Sequence, residues 1–259
     1  MDADYRARRY AKPIVFLLCL WPAAWLAAGL YTLQSGDVAS APARALGVNP
    51  VETVQDTLGI WGLRLLLVTL AITPLRVIGG WPWLQAFRRM LGLFAFFYVA
   101  THFLWYLFVD QAFDWRQLAA DVVKRPYVTA GFTAFLLLVP LAATSTRSAM
   151  RRLGRRWGKL HRLVYAAAIL GSVHFWWQVK ADVREPLVYA AILAVLLGWR
   201  VYRSRVAKAM AARIRTPPAP VRQSSASPRI HQASAEASTG SPIATTATKS
   251  GERCRRDQL

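Results

Sequence analysis

Cysteine, acidic side chains and nucleotide-binding motifs are scarce in this sequence, and each shortage excludes a class of protein. The two cysteines among 259 residues, Cys19 and Cys254, form no CxxC or Cys/His cluster, which excludes a disulfide framework, a structural zinc site and an iron–sulfur site. No GxGxxG motif follows a predicted strand and no P-loop is present, so the chain has no recognisable fold for a nicotinamide cofactor.

The shortage of acid leaves a net charge of +20, from 13 Asp and Glu against 33 Lys and Arg. The basic residues lie in short loops and tails between apolar runs, as membrane orientation requires, and not on a folded basic face. We therefore expect no nucleic-acid partner.

Apolar sequence is what the chain has in abundance. Hydrophobic residues make up 55% of it, with 11 tryptophans, a composition typical of a polytopic membrane protein that contacts lipid. The first apolar run is longer than the h-region of a signal peptide, which favours a retained helix, although Arg8-Arg9 also permits a twin-arginine signal. The sequence predicts an all-α bundle of six membrane spans: Ile14–Leu33, Leu58–Ile72, Met90–Val109, Tyr127–Thr144, Leu160–Val179 and Leu187–Val201.

The distribution of charge predicts the orientation of these spans in a bacterial inner membrane. The N-terminus and loops two and four are rich in Lys and Arg, whereas loops one, three and five are balanced or acidic. By the positive-inside rule both termini are cytoplasmic. The predicted organisation is a cytoplasmic N-terminus (1–12), a six-helix transmembrane domain (13–203) and a disordered basic cytoplasmic tail (204–259).

Two histidines lie at similar depths in different spans. His102 is eight residues before Asp110, about 12 Å inside the outer boundary, and His174 is six residues before Lys180, about 9 Å inside it. Two imidazoles that face each other can take both axial positions of a haem iron. We predict that His102 and His174 are the axial ligands of a haem b. Interhelical hydrogen bonding is the alternative.

Residues near this pair fit a haem site. Gly171 lies on the same helical face as His174, where a missing side chain would admit the macrocycle, and Phe94, Phe96, Phe97 and Tyr98 offer flat apolar walls. Trp176 and Trp177 are typical of an interfacial aromatic belt.

Two other polar residues are candidates for cofactor binding. His161 could bind the iron of a second haem with an unusual partner, or lie at the cytoplasmic interface; the position opposite it in the third span is Arg89. Arg64, about 12 Å deep, could bind a haem propionate or a quinone oxygen, or extend towards the headgroups. His231 lies in the predicted tail and is not a candidate.

Several long motifs resemble the MsrQ family, also called YedZ, which belongs to the ferric-reductase-like transmembrane superfamily. The resemblance covers about 14–202 and is carried by TPLR (73–76), GWPWLQAFRRMLGLFAFFYVATHF (80–103), KRPYVTAGF (124–132), TSTRSAMRRLGRRWGKLHRLVY (144–165) and KADVREP (180–186). His102, His161 and His174 occupy the family's histidine positions, whereas the long tail departs from its pattern.

The resemblance implies an electron-transfer subunit and not the enzyme that reduces the sulfoxide. Such a subunit passes electrons from the quinone pool to a periplasmic molybdopterin reductase, MsrP, which repairs oxidised methionines in proteins. The cofactors implied are one or two haems b and FMN. Two alternatives remain open. One is a ferric or quinone reductase with another acceptor; for the leading interpretation as well, the electron donor is membrane quinol or a separate flavin reductase. The other is a proton-coupled transporter, against which we find no acidic residue within a span and no internal repeat.

Overall fold

The computed structural model describes residues 3–179 and 182–215, and these are helical apart from short connecting loops. A 3₁₀ turn lies at Pro82–Ala86 and a π-helical turn at Tyr106–Asp110. The ten α-helices of the described residues are α1 (Ala3–Gln34), α2 (Ala41–Ala45), α3 (Pro50–Ile78), α4 (Arg88–Trp105), α5 (Trp115–Lys124), α6 (Pro126–Ala143), α7 (Arg147–Leu153), α8 (Arg155–Leu160), α9 (Leu163–Gln178) and α10 (Arg184–Arg215).

Five of the helices in the described residues are long and apolar enough to cross a membrane. They are Arg9–Gln34, Pro50–Ile78, Arg88–Val109, Pro126–Ala143 and Arg184–Ala211. The predicted all-α, polytopic membrane bundle is thereby confirmed. The fifth predicted span corresponds to α9, which has 16 residues and a length of about 24 Å, short of the ~20 residues of a typical span. The count of six spans and their orientation therefore stay predictions.

Helix α3 begins earlier and ends later than the apolar run predicts. The Asn49 side chain accepts a hydrogen bond from the Glu52 N–H and donates one of 2.8 Å to the Glu52 carboxylate, which caps the first turn at Pro50. Asp56, which lies before the predicted span Leu58–Ile72, is consequently helical. At the other end, Pro74, two residues beyond the predicted span, lies inside the helix.

Two helical hairpins, α3–α4 and α6–α9, form the centre of the bundle. Helix α4 also contacts α6, and α3 contacts α9, so the four helices surround a common space. Helix α1 packs against α3 and α4 from outside, and α10 packs against α9 and α3. Large apolar side chains on α1 and α10 are exposed, for example Leu17 at 64% and Val195 at 70%, as expected of surfaces that face lipid.

Tyr98 joins α4 to α1 and is fully buried. Its hydroxyl donates to the Cys19 carbonyl oxygen at 2.7 Å and accepts from the Ala23 N–H at 3.1 Å. In a regular helix those two backbone groups would bond to each other, so Tyr98 is inserted into the α1 ladder next to Pro22. We had expected Tyr98 to form a wall of the haem cavity, but it packs α4 against α1 instead.

The prediction places the start of the disordered tail, residue 204, too early in the chain. Helix α10 continues through Arg215, because residues 204–215 are rich in Ala, Arg, Lys and Met, which favour helix, and the first proline after them is Pro217. The rest of the predicted tail, 216–259, including His231 and Cys254, lies outside the described residues.

Candidate haem site between two helical hairpins

The structure brings His102 of α4 and His174 of α9 together across the space between the hairpins. Their ring centroids are 6.2 Å apart, and the ring planes are inclined at 78°. A metal–imidazole bond of about 2 Å and a ring radius of about 1.1 Å on each side would separate two axial imidazoles by about 6 Å. The spacing of the two rings therefore fits one metal ion bound between them.

Each imidazole is held by a backbone carbonyl group of the neighbouring helix in its hairpin. His102 Nδ1 lies 2.9 Å from the Gln55 carbonyl oxygen, and His174 Nδ1 lies 2.7 Å from the Tyr127 carbonyl oxygen. A carbonyl oxygen only accepts, so each Nδ1 carries the proton and donates it. The lone pair of each ring is then on Nε2, the atom that a metal would take, and the hydrogen bond fixes the ring's orientation.

Glycine makes these close approaches possible. Gly59 and Gly131 each lie one helical turn after the residue whose carbonyl accepts the bond. A Cβ at Gly131 would be 2.8 Å from His174 Nδ1, and a Cβ at Gly59 would be 3.1 Å from His102 Nδ1. Any larger residue at either position would push the imidazole away from the carbonyl oxygen.

The cavity around the rings has a volume of about 1160 Å³, which is above the usual range for small-molecule sites, roughly 300–1,000 Å³. Its inner part is apolar and aromatic: Phe103 stacks on Phe135 at 4.8 Å and lies against Phe132 at 5.6 Å. Gly171 lines it as expected. Phe94, Phe96 and Phe97 do not line it, so the aromatic wall that we predicted was wrong: other phenylalanines supply it.

The predicted role of Arg64 has no support in this geometry. Its Nε donates a 2.7 Å hydrogen bond to the Tyr189 hydroxyl of α10, and its guanidinium lies 5.2 Å from the centre of the Trp61 ring. Arg64 is not among the described residues that line the cavity. The side chain instead joins α3 to α10 on the outside of the four-helix centre.

His161 lies at the other end of α9 from His174, between α8 and α9. Its ring stacks on Trp157 with centroids 3.9 Å apart, and its Nδ1 is 3.2 Å from the Trp157 carbonyl oxygen. The structure does not bring His161 to the pair, and a role in a second haem stays a prediction.

Sequence reasoning missed the two carbonyl acceptors and the two glycines, although one signal could have found them. Gln55 precedes His102 by 47 residues, and Tyr127 precedes His174 by 47. The segments align without a gap, with Gly59 matching Gly131 and the motif HFLW (102–105) matching HFWW (174–177). Our expectation that the chain has no internal repeat was wrong, because the repeat is short and spread over two hairpins.

Known proteins are similar to this chain over much of its length. Residues 58–172 match the family described as ferric reductase like transmembrane component. A protein from Xanthomonas campestris pv. campestris (strain 8004) is 56% identical over 174 residues, 67% of this chain and 80% of the relative. One from Xanthomonas axonopodis pv. citri is 50% identical over 209 residues, 80% and 93% of the two chains, and one from Rhodospirillum rubrum is 50% identical over 194, 74% and 88%. All three carry the name protein-methionine-sulfoxide reductase heme-binding subunit MsrQ.

Proposed function

Because this chain belongs to the MsrQ family, we propose that it is the haem b-containing membrane subunit of a protein-methionine-sulfoxide reductase. It transfers electrons from the quinone pool of the bacterial inner membrane to a periplasmic molybdopterin reductase, MsrP, with which it forms a complex. MsrP reduces the oxidised methionines of periplasmic proteins. The names of the curated relatives and the ferric-reductase-like family match support this role.

The observation that carries the proposal is the pair of imidazoles. His102 and His174 lie 6.2 Å apart between ring centres, each with its Nδ1 proton donated to a carbonyl oxygen. When bound, haem supplies one-electron exchange between ferric and ferrous iron. The protein residues present two neutral nitrogen donors, fix their orientation and surround the macrocycle with apolar walls that exclude water.

The overall reaction balances without a further reactant. A quinol that becomes a quinone releases two electrons and two protons. Reduction of one sulfoxide to a thioether takes up two electrons and two protons and releases water. The site passes the electrons one at a time. Its cavity opens beside the start of α3 and the start of α10, the ends that we predict to be periplasmic, where MsrP would receive them.

Three finer points belong to the same proposal. The iron is that of one haem b at His102 and His174; a second haem at His161 would need another partner. FMN is a further cofactor that follows from the family, which would make the chain a flavoprotein. A separate flavin reductase is the alternative donor to quinol.

The first experiment is a reduced-minus-oxidised visible spectrum of the purified full chain and of three variants, His102→Ala, His174→Ala and His161→Ala. We expect the spectrum of a bis-histidine haem b in the wild type. Either substitution in the pair should abolish it, and His161→Ala should retain it. Flavin content of the same preparation tests FMN, and co-purification with the periplasmic reductase tests the acceptor.

A folded wild-type chain that contains no haem would refute the proposal and favour the transporter alternative. Retention of the full spectrum in both His102→Ala and His174→Ala would instead assign the haem to other residues. Haem without electron delivery to a methionine-sulfoxide reductase would favour a cytochrome with another acceptor.

A further inference from the structure

The open end of the cavity has an uneven distribution of charge. Among the described residues that line it, Arg125 is the one Lys or Arg side chain. Four carboxylates line the opposite side, on α3 and at the start of α10: Glu52, Asp56, Asp182 and Glu185. An anion that entered the cavity would therefore be repelled from the α3 and α10 side and attracted to Arg125.

Arg125 is fixed in place by a buried acid. Its Nε lies 3.2 Å from Asp121 Oδ1, and Asp121 is only 5% exposed. The other carboxylate oxygen of Asp121 accepts hydrogen bonds from the Tyr106 hydroxyl at 2.7 Å and from Gln111 Nε2 at 3.2 Å. A buried carboxylate with this many donors holds its position, so the guanidinium is oriented before any ligand arrives.

The same guanidinium is connected to the imidazole pair. Its Nη1 donates to the Tyr127 hydroxyl at 3.3 Å, and the backbone carbonyl of Tyr127 holds His174. The Arg125 side chain is 50% exposed, so part of its five-donor fork remains accessible at the cavity edge. Arg125 thus lies at the edge of the cavity that contains the imidazole pair, at the end that opens to the aqueous phase.

From this geometry we propose that Arg125 binds the propionate carboxylates of the haem and that Asp121 positions Arg125 for it. The inference rests on the proposed function, since it assumes that haem occupies the cavity. Arg–carboxylate pairs bond through two parallel N–H···O contacts, which a planar fork provides and an ammonium group does not. Propionates held in this way would lie beside α5 and α6, away from the four carboxylates.

The test compares haem loss in four variants of the full chain. Arg125→Gln should transfer its haem to apomyoglobin about tenfold or more faster than wild type, the loss expected for charged hydrogen bonds. It should also lower the midpoint potential, because an uncompensated propionate favours ferric iron. Arg125→Lys should be intermediate, and so should Asp121→Asn. Arg116→Gln on the exposed side of α5 is the matched control and should behave as wild type.

A second measurement isolates the carboxylates. The dimethyl ester of haem has no propionate charge, so we expect it to leave the wild type faster than haem does. Arg125→Gln should lose haem and its ester at similar rates. Should Arg125→Gln fail to fold, Arg125→Lys with the two pigments answers the same question, because the charge is kept and only the fork is lost.

Haem loss and potential unchanged in Arg125→Gln, from a wild type that does contain haem, would overturn this inference and leave the proposed function standing. A wild type without haem would instead overturn the proposed function. The two failures are therefore distinguishable in one set of preparations.

Discussion

The hairpins α3–α4 and α6–α9 hold their histidines in the same way but differ in several of the surrounding residues. Both contain a carbonyl acceptor, a glycine one turn later and a histidine on the returning helix. We call these three groups together the histidine seat of each hairpin. Five residues after the glycine, the first hairpin has Arg64 where the second has Leu136, and at the inner end Arg89 stands where the second has His161. What recurs in the two halves is what the orientation of an axial ligand requires. What differs serves the neighbours of each hairpin.

The largest effect should come from replacing the glycines of the two histidine seats with alanine. Gly131→Ala would put a Cβ 2.8 Å from His174 Nδ1, a contact that forces the imidazole out of position, so we expect most of the haem to be lost. Gly59→Ala would put its Cβ 3.1 Å from His102, which a shift of a few tenths of an ångström relieves. We expect that variant to keep haem with an altered low-spin spectrum. Haem content per protein and electron paramagnetic resonance measure both effects.

The control for the seats is Gly198→Ala on α10, where a Cβ would meet nothing within 4 Å. Ala in place of Gly favours the helix by about 1 kcal/mol at any of these positions. A change of haem content in the two seat variants but not in the control is therefore due to the imidazole contact. If both seat variants keep the wild-type spectrum, the glycines have no part in positioning the ligands.

The second-largest effect should be on stability, and it tests whether Arg64 acts independently of the haem site. Tyr189→Phe removes the acceptor of the Arg64 guanidinium, and an unpaired charged donor at membrane depth should cost about 1.5–3 kcal/mol. Adding Arg64→Leu, which copies the second hairpin, removes the unpaired donor and should restore most of that stability. Thermal unfolding in detergent measures both changes, and haem content should stay that of wild type.

The single variant Arg64→Leu tests the opposite possibility, that Arg64 binds the propionate. Faster haem loss in it, with Arg125→Gln unaffected, would return the propionate to Arg64, as the sequence first suggested. Unchanged haem in Arg64→Leu would leave Arg64 as a link between α3 and α10.

The sequence predicted the relative level of the two histidines well, because charged residues mark the ends of the apolar runs. Counting from Asp110 and Lys180 placed His102 and His174 at nearly the same level, and the structure brings their rings together. The same counting misplaced Arg64, since depth along a helix says nothing about direction around it. Arg64 is five residues after Gly59, about 140° around the helix, so it faces α10 when Gly59 faces the cavity.

The supporting residues could not be found by residue type alone. Gln55 and Tyr127 act through their backbone carbonyl oxygens, which every residue has, so their side chains give no signal. Arg125 gave none either, because an i,i+4 pair such as Asp121 and Arg125 is common on helix surfaces and does not show that the guanidinium lines a cavity. The 47-residue spacing between each carbonyl acceptor and its histidine, with the glycines and the HFLW and HFWW motifs in the same register, is the regularity that the sequence offers.

The smallest effect should come from Gln55, whose side chain approaches the metal-binding nitrogen of His102 in the first hairpin. Gln55 Nε2 lies 3.4 Å from His102 Nε2, and the Gln55 amide oxygen is buried without a hydrogen-bond partner. An amide N–H that donates to this lone pair competes with iron for it. Gln55→Met removes the competitor and keeps the apolar volume, so we expect haem to enter the apoprotein about two- to tenfold faster, the range of one net hydrogen bond.

Stopped-flow mixing of haem with apoprotein measures this rate, and the final spectrum should not change. The matched control is Gln178→Met, since Gln178 lines the same cavity but donates to Asp56 and not to an imidazole. An equal acceleration in both variants would mean that cavity polarity controls entry, and a slower rate in Gln55→Met would mean that the amide guides haem to His102. Acceleration in Gln55→Met alone would make His102 the slower of the two ligands to bind, since Tyr127 places no amide against His174.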